Sequence, residues 1–538
     1  MQHPKKTVYS ILLVAVLTLT TVGTVLANSI IGPSSSQSPY IVRSQPGVVT
    51  KAILTVGDSV NFKPDGVTPY RMVGIPDGLG AFDNGDGTFT LLMNHELGNA
   101  VGTPRAHGNI GAFVSEWIIS KDDLSVVSIR DFIGDTSSIF LSNNDPSIGV
   151  LHSGFLEGNT TILARLCSAD LGAATSHLWT DPATGITYGT AALIFESGEE
   201  SGGTQLTPPG PEARIDFGRQ FAFIATDDPN IPGNQANTAY ELPHAGLFPW
   251  ENNLVNPLSQ RKTIVMGTDD STPGQVYVWV GDKQNSGNVV ERAGLTRQSE
   301  NDNLYVIKVN GLTPDASGAT NEDRATPLSG TFTLENEGEV SGLTAGQLET
   351  LSDSKGGTQF LRPEDGQWDP SNPSDFYFVT TDRYDQVKDG VGTQVGRSRL
   401  YRLRFTDIAQ PELGGTIEAL LDGTEAGNMF DNMTIDSRGR VLLQEDVGGQ
   451  AHIGKIWQYD IATDQLVEIA HHDPDRFTPG APNFLTLDEE SSGIIDVSSI
   501  LGEGWFLLDV QAHYAIAGEL VEGGQLLALH IPPGKKFE

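Results

Sequence analysis

After a Ser/Pro-rich stretch from Pro33 to Pro39, short apolar or alternating runs recur to the C-terminus, bounded by Gly, Asp, Asn or Pro. Thr88–Met93, Thr263–Met266, Val276–Val280, Leu304–Val309, Asp375–Val379 and Leu400–Phe405 are of this kind, as are Val441–Leu443, Lys455–Tyr459, Trp505–Asp509 and Gln525–Leu529. Their β-branched and aromatic content and their bounding turn residues predict β-strands. Helical periodicity is scarce, and polar loops such as 205–218, 229–240 and 283–300 interrupt the strands.

No exact internal repeat is present. A looser unit recurs instead: a strand ending in acids, a polar turn, then strands ending in an aromatic-basic element such as Leu400-Tyr401-Arg402. That unit predicts an all-β, propeller-like fold, in which blades repeat radially and the loops of one face converge on a central site. Residues 46–538 are expected to form one large domain, after a flexible lead-in over 28–45. The run Ala192–Glu200 illustrates the unit: an apolar strand ends in Glu196, Glu199 and Glu200, with Gly198 between them. Clustered carboxylates repel one another unless a cation, an arginine or a shared proton compensates, and hard cations take several oxygen ligands.

Residues 1–27 predict a secretory signal peptide. Lys5 and Lys6 precede the apolar run Ile11–Val25, and Val25-Leu26-Ala27 suits cleavage before Asn28. The pair is Lys-Lys, so Sec export to the periplasm or medium is expected rather than twin-arginine export. No other long apolar run predicts a membrane segment. The net charge of −35 excludes nucleic acid and anionic membrane as partners, since either needs a basic face. The single cysteine, Cys167, rules out an intramolecular disulfide and leaves a thiol that is buried and inert, a ligand or a nucleophile. A monomer is expected.

Acids recur at strand ends over most of the chain. Asn94-His95-Glu96 follows a strand, and Asp83–Gly87 before it reads as a hairpin turn. Arg165-Leu166-Cys167 precedes the Glu196/Glu199/Glu200 cluster. Then come Pro243–Glu251 with His244 and Glu251, Met266–Asp270, and Phe360–Asp365, where Arg362 lies beside Glu364. An arginine beside acids suits an oxyanion held at a metal site. Asp431-Asn432, the turn Asp436–Gly439, Gln444–Asp446, Glu489–Gly493 and Leu508–His513 complete the series.

The ordered set from Asn94–Glu96 through Cys167, Glu199-Glu200, Gly267–Asp270 and Arg362–Asp365 to Asp431-Asn432 resembles the PhoX family of bacterial alkaline phosphatases. The likeness spans most of the chain. It implies a six-bladed propeller with a mixed iron and calcium centre in its channel, and hydrolysis of small phosphate monoesters. Carried over by position, Cys167 would be an iron ligand and Glu96, Glu199, Glu200, Glu251, Asp270 and Glu364 metal-binding acids. Arg362 would hold phosphate oxygens as the catalytic arginine. The chain departs from the family pattern in two places. Gly198 stands where the family commonly shows Cys, and a Gly-Arg-Phe-x-His-Glu pattern appears as Gly246-Leu-Phe-Pro-Trp-Glu251.

The leading expectation is an exported metal-dependent phosphatase. Two alternatives use the same acids: a non-catalytic, calcium-stabilised propeller that binds a partner, and a calcium-only esterase resembling propeller phytases.

Overall fold

The structure, a computed structural model, describes residues 29–141, 156–157, 162–201, 204–206, 214–388, 395–534 and 537. The expected signal peptide lies outside these residues. Among the described residues, no helix is long and apolar enough to cross a membrane.

Six innermost strands, one per blade, form a closed ring: Pro76–Asp83, Leu166–Leu171, Trp250–Val255, Pro363–Trp368, Phe430–Ile435 and Glu489–Asp496. Each packs against the next, and the last returns to the first. From each, antiparallel strands lead outward in a blade. The runs predicted as strands all fall in these blades, and the propeller-like, all-β expectation holds.

Blades three and four show why the runs are apolar. Along Gly274–Asp282, Val276, Val278 and Val280 enter the core shared with Trp368, Phe376 and Phe378 of blade four. Tyr277 and Trp279 enter the opposite core, with Ile194, Ala222 and Ile224 of blade two. A middle strand therefore buries both faces, and burying each large apolar side chain stabilises by about 1.5–3 kcal/mol. The long strand Ser329–Gly338 joins the outer edges of these two blades by pairing with both Asn303–Val309 and Gly415–Leu421.

The N-terminal residues close the ring. Val49–Thr55 pairs antiparallel with Val521–His530 as an outer strand of blade six, and Ser29–Ile31 adds to it in parallel. Ile41–Arg43 pairs with Gln465–His472 in blade five. The expected flexible lead-in is thus partly built into two blades, because their outer edges carry backbone groups that need partners. Tyr40 and Ile41 are buried in the core of those blades.

Candidate metal centre

Every inner strand carries the same irregularity. Between Pro76 and Leu79, Leu166 and Ala169, Trp250 and Asn253, Pro363 and Gly366, and Phe430 and Met433, the strand advances three residues while its neighbour advances two. Blade six has this bulge between Ser492 and Ile495. A bulge inserts one extra residue and re-aims the side chains around it. In blades one to five the bulged pairs are Asp77-Gly78, Cys167-Ser168, Glu251-Asn252, Glu364-Asp365 and Asp431-Asn432. A ligand-type side chain therefore occupies the first bulge position five times.

The neighbouring strand repeats in step. The backbone N–H groups of Glu96, Glu200, Asp270, Thr381 and Asp446 donate to the carbonyls of Ile75, Arg165, Pro249, Arg362 and Met429, at 2.8–3.1 Å. This lays Glu96, Glu200, Asp270 and Asp446 beside the bulged acids. Ile75, Arg165, Arg362 and Met429 have φ of 51°, 46°, 59° and 42°. A non-glycine residue in this left-handed region costs about 1 kcal/mol or more, and such strain is typical of functional sites.

The resulting side-chain groups overlap. Asp77, Glu96 and Cys167 bring ligand atoms within 4.8 Å of one another, as do Cys167, Glu200 and Glu251, and then Glu251, Glu364 and Asp431. Cys167 and Glu251 are shared, so the three groups form one continuous row. The Cys167 thiol lies 3.1 Å from Glu251 Oε2 and 3.5 Å from Asp77 Oδ2. Gln511 of blade six donates to Asp77 Oδ2 at 2.8 Å and Glu96 Oε2 at 3.1 Å.

Burial and mutual repulsion push Asp77, Glu200, Glu364 and Asp431 well above the usual carboxylate range, and Glu251 up to about 8. Burial and the neighbouring acids likewise raise the Cys167 thiol. Asp270 differs: burial would lift it, but the Arg362 guanidinium holds it below its ordinary value. Arg362 bonds Asp270 bidentately, Nε to Oδ1 at 2.9 Å and Nη2 to Oδ2 at 3.0 Å, and its Nη2 lies 2.9 Å from Glu364 Oε1.

The second bulge position builds a floor. Asn432 Nδ2 donates to Ser168 Oγ at 2.7 Å, which donates to Glu251 Oε1 at 2.7 Å, joining blades five, two and three. Asn252 donates to Asp365 Oδ1 at 2.5 Å, whose Oδ2 accepts from Met433 N at 2.9 Å. Past this floor, the far ends of the inner strands line a separate cavity of about 580 Å³, walled by residues such as Leu79, Leu171, Val255 and Trp368.

Of the residues expected from sequence, Glu96, Cys167, Glu200, Glu251, Asp270, Arg362 and Glu364 converge here. Glu199 does not. Its Oε1 and Oε2 accept from Arg219 Nη2 at 2.7 Å and Nε at 2.8 Å, and from the N–H groups of Ala164 and Arg219. Alternation along the strand turns Glu199 and Glu200 to opposite sides, so only one of the pair can face the channel. Within Asn94-His95-Glu96, Asn94 anchors blade two through Cys167 O at 2.5 Å, and His95 stacks on Phe113 at 4.2 Å. His244 bonds Glu339 instead.

Sequence reasoning omitted Asp77 and Arg165 from the site and left Asp431 without a role. Asp77 had no signal, since Pro76-Asp77-Gly78 resembles an ordinary turn. Arg165 and Asp431 lie within the Arg165–Cys167 and Asp431-Asn432 motifs.

Fold and site together define a six-bladed propeller with a row of buried carboxylates and one thiol in its channel. A family model described as alkaline phosphatase PhoX matches residues 217–476, which contain the inner strands of blades three to five. Among solved structures, Pseudomonas fluorescens PhoX in complex with vanadate, a transition state analogue, is similar at a TM-score of 0.59 and 14% identity, covering 94% of this chain and 97% of that one. The resemblance to PhoX read from the ordered motifs is borne out. Oligopeptidase B from Leishmania major aligns at a TM-score of only 0.22 and 9% identity, over 82% of this chain and 54% of its own. No curated protein matches the chain.

Proposed function

We propose that the protein is an exported metal-dependent phosphatase acting on small phosphate monoesters. The observation that carries this reading is the row of three overlapping ligand groups sharing Cys167 and Glu251, with Arg362 held beside it by Asp270 and Glu364. The PhoX family match supports the reaction class.

The donor set fits bound cations. Carboxylates this close and this buried repel one another, and divalent cations would relieve that repulsion. The oxygen-rich groups suit calcium, while the thiolate of Cys167 adds a softer ligand that suits iron. Cations bound there would supply Lewis acidity toward phosphoryl oxygens.

The chain's own groups do the rest. With Nε and Nη2 bonded to Asp270 and Glu364, Arg362 would offer its positive charge and its remaining terminal nitrogen, Nη1, to a phosphoryl oxygen, where charge develops in the transition state. Asp270 and Glu364 fix the orientation of that guanidinium. The hydrogen bonds from Asn432 to Ser168 and from Ser168 to Glu251 hold Glu251 in place across three blades. Export by Sec, to the periplasm or the medium, rests on residues 1–27.

Elemental analysis of natively exported protein, with p-nitrophenyl phosphate hydrolysis by wild type and Cys167→Ala, tests the proposal. Iron and calcium in wild type, with iron and activity lost together in the variant, is the expected result. Calcium alone with hydrolysis would favour a phytase-like esterase. Calcium without hydrolysis would leave a binding propeller.

A further inference from the structure

Arg165 and Arg362 occupy the same structural position in blades two and four. Each is the left-handed residue just before the bulged strand, with φ of 46° and 59°. Each carbonyl accepts the N–H of the residue that follows the next strand, Glu200 at 2.8 Å and Thr381 at 3.0 Å. Each guanidinium is held by two carboxylates, Arg165 by Glu96 at 2.7 Å and by Glu200, Arg362 by Asp270 and Glu364. Glu200 and Glu364 each bring a ligand atom within 4.8 Å of Glu251, so a single carboxylate stands between the acids that hold the two arginines. The acids are buried, whereas the Arg165 and Arg362 side chains are 47% and 25% exposed.

That arrangement places a partly exposed guanidinium on either side of blade three, the carboxylates taking Nη2 of Arg165 and Nε and Nη2 of Arg362. A single arginine grips one edge of a tetrahedral anion, and a second from another direction fixes its rotation. We propose that Arg165 is a second oxyanion-holding residue, working opposite Arg362 on the phosphoryl group. This rests on the phosphatase reading. The role asks for the guanidinium shape and not only its charge, so lysine replaces it in part.

The test uses natively exported wild type, Arg165→Met, Arg165→Lys and Arg362→Met. Inorganic phosphate binding is measured by calorimetry, metal content by elemental analysis, and KM and kcat with p-nitrophenyl phosphate. Arg165→Met is expected to weaken phosphate binding and raise KM by about tenfold or more, with metals retained and partial recovery in Arg165→Lys. Unchanged phosphate affinity in Arg165→Met, with Arg362→Met weakened, overturns this proposal and leaves the phosphatase reading standing. Loss of metal from both Arg165 variants overturns it too, since Arg165 would then be a strut for Glu96 and Glu200. Failure of metal-loaded wild type to bind phosphate overturns both.

Discussion

Gly198 and Trp250 compete for one volume: a Cβ on Gly198 would lie 2.2 Å from Trp250 Cβ. Trp250 opens the inner strand of blade three and stacks on Phe248 at 3.9 Å, and a Cβ on Gly267 would also strike its ring, at 2.4 Å. Gly198 and Trp250 are two of the positions at which the chain departs from the expected PhoX pattern, and the structure places them in contact. Gly198→Cys alone is expected to cost about 3 kcal/mol from overpacking, and Trp250→His a similar amount from the void it leaves. Histidine keeps the Cβ and Cγ that the added Cβ would strike, so the double variant should still carry the Gly198 penalty and cost about the sum of the two in a urea-unfolding cycle. A double variant well below that sum would show that the Trp250 ring, and not its Cβ, limits the space at Gly198.

Glu199 and Glu200 should separate by phenotype. Removing one partner of a buried, hydrogen-bonded ion pair typically costs about 3–5 kcal/mol, so Glu199→Gln is expected to lower stability by that order by breaking its bidentate pair with Arg219. Its metal content should stay near wild type once folded. Glu200→Gln should instead lose metal, because it removes a ligand atom from the Cys167/Glu200/Glu251 group. Elemental analysis beside thermal unfolding distinguishes them, and equal metal loss in both would contradict the placement of Glu199.

Chelation should destabilise the protein. Ligand bound at a thousand times its dissociation constant adds about 4 kcal/mol to stability, which for a domain of this size corresponds to a drop in Tm on the order of 4 °C when it is removed. Calcium added back should recover much of that loss in calorimetry. A Tm indifferent to chelator would mean that no tightly held cation compensates the acids.

Glu196 gives a pH prediction outside the metal groups. It is fully buried beside Gln220 and His177, and burial pushes it up to about 8 from an ordinary value of 4.5. The folded state therefore holds a proton that the unfolded state releases from pH 4.5 upward. The effect is absent below pH 4.5 and grows against folding as pH rises toward 8. Relative to Glu196→Gln, chelated wild type should lose stability between pH 5 and pH 8, by on the order of 4 kcal/mol. A difference independent of pH would show that Glu196 does not keep its proton in the folded state.

The bulge repeat explains how much of the site could be read in advance. Glu96, Glu200 and Asp270 announce themselves because each follows a strand whose apolar pattern is plain, while Cys167 stands out as the single cysteine and Glu364 as an acid beside Arg362. Asp77 has the same position in its blade as Cys167 or Glu251, yet a turn-like neighbourhood hides it. Its role depends on the Gly78 bulge: a Cβ on Gly78 would lie 2.6 Å from Cys167 O and Ala169 N. That close contact between blades one and two leaves no trace in either segment alone.

The sequence by itself determined the strands, the all-β class and most of the acids. Alternating apolar positions and turn residues act over a few neighbours, and they mean much the same wherever the chain lies. The tertiary structure decided which acids meet. A one-residue bulge or a one-residue step along a strand swaps the face a side chain presents, so Glu199 goes to Arg219 and Glu200 to the channel. Contacts such as Asn432 with Ser168, or Gly198 with Trp250, join residues far apart in sequence. Only closure of the ring brings those residues together.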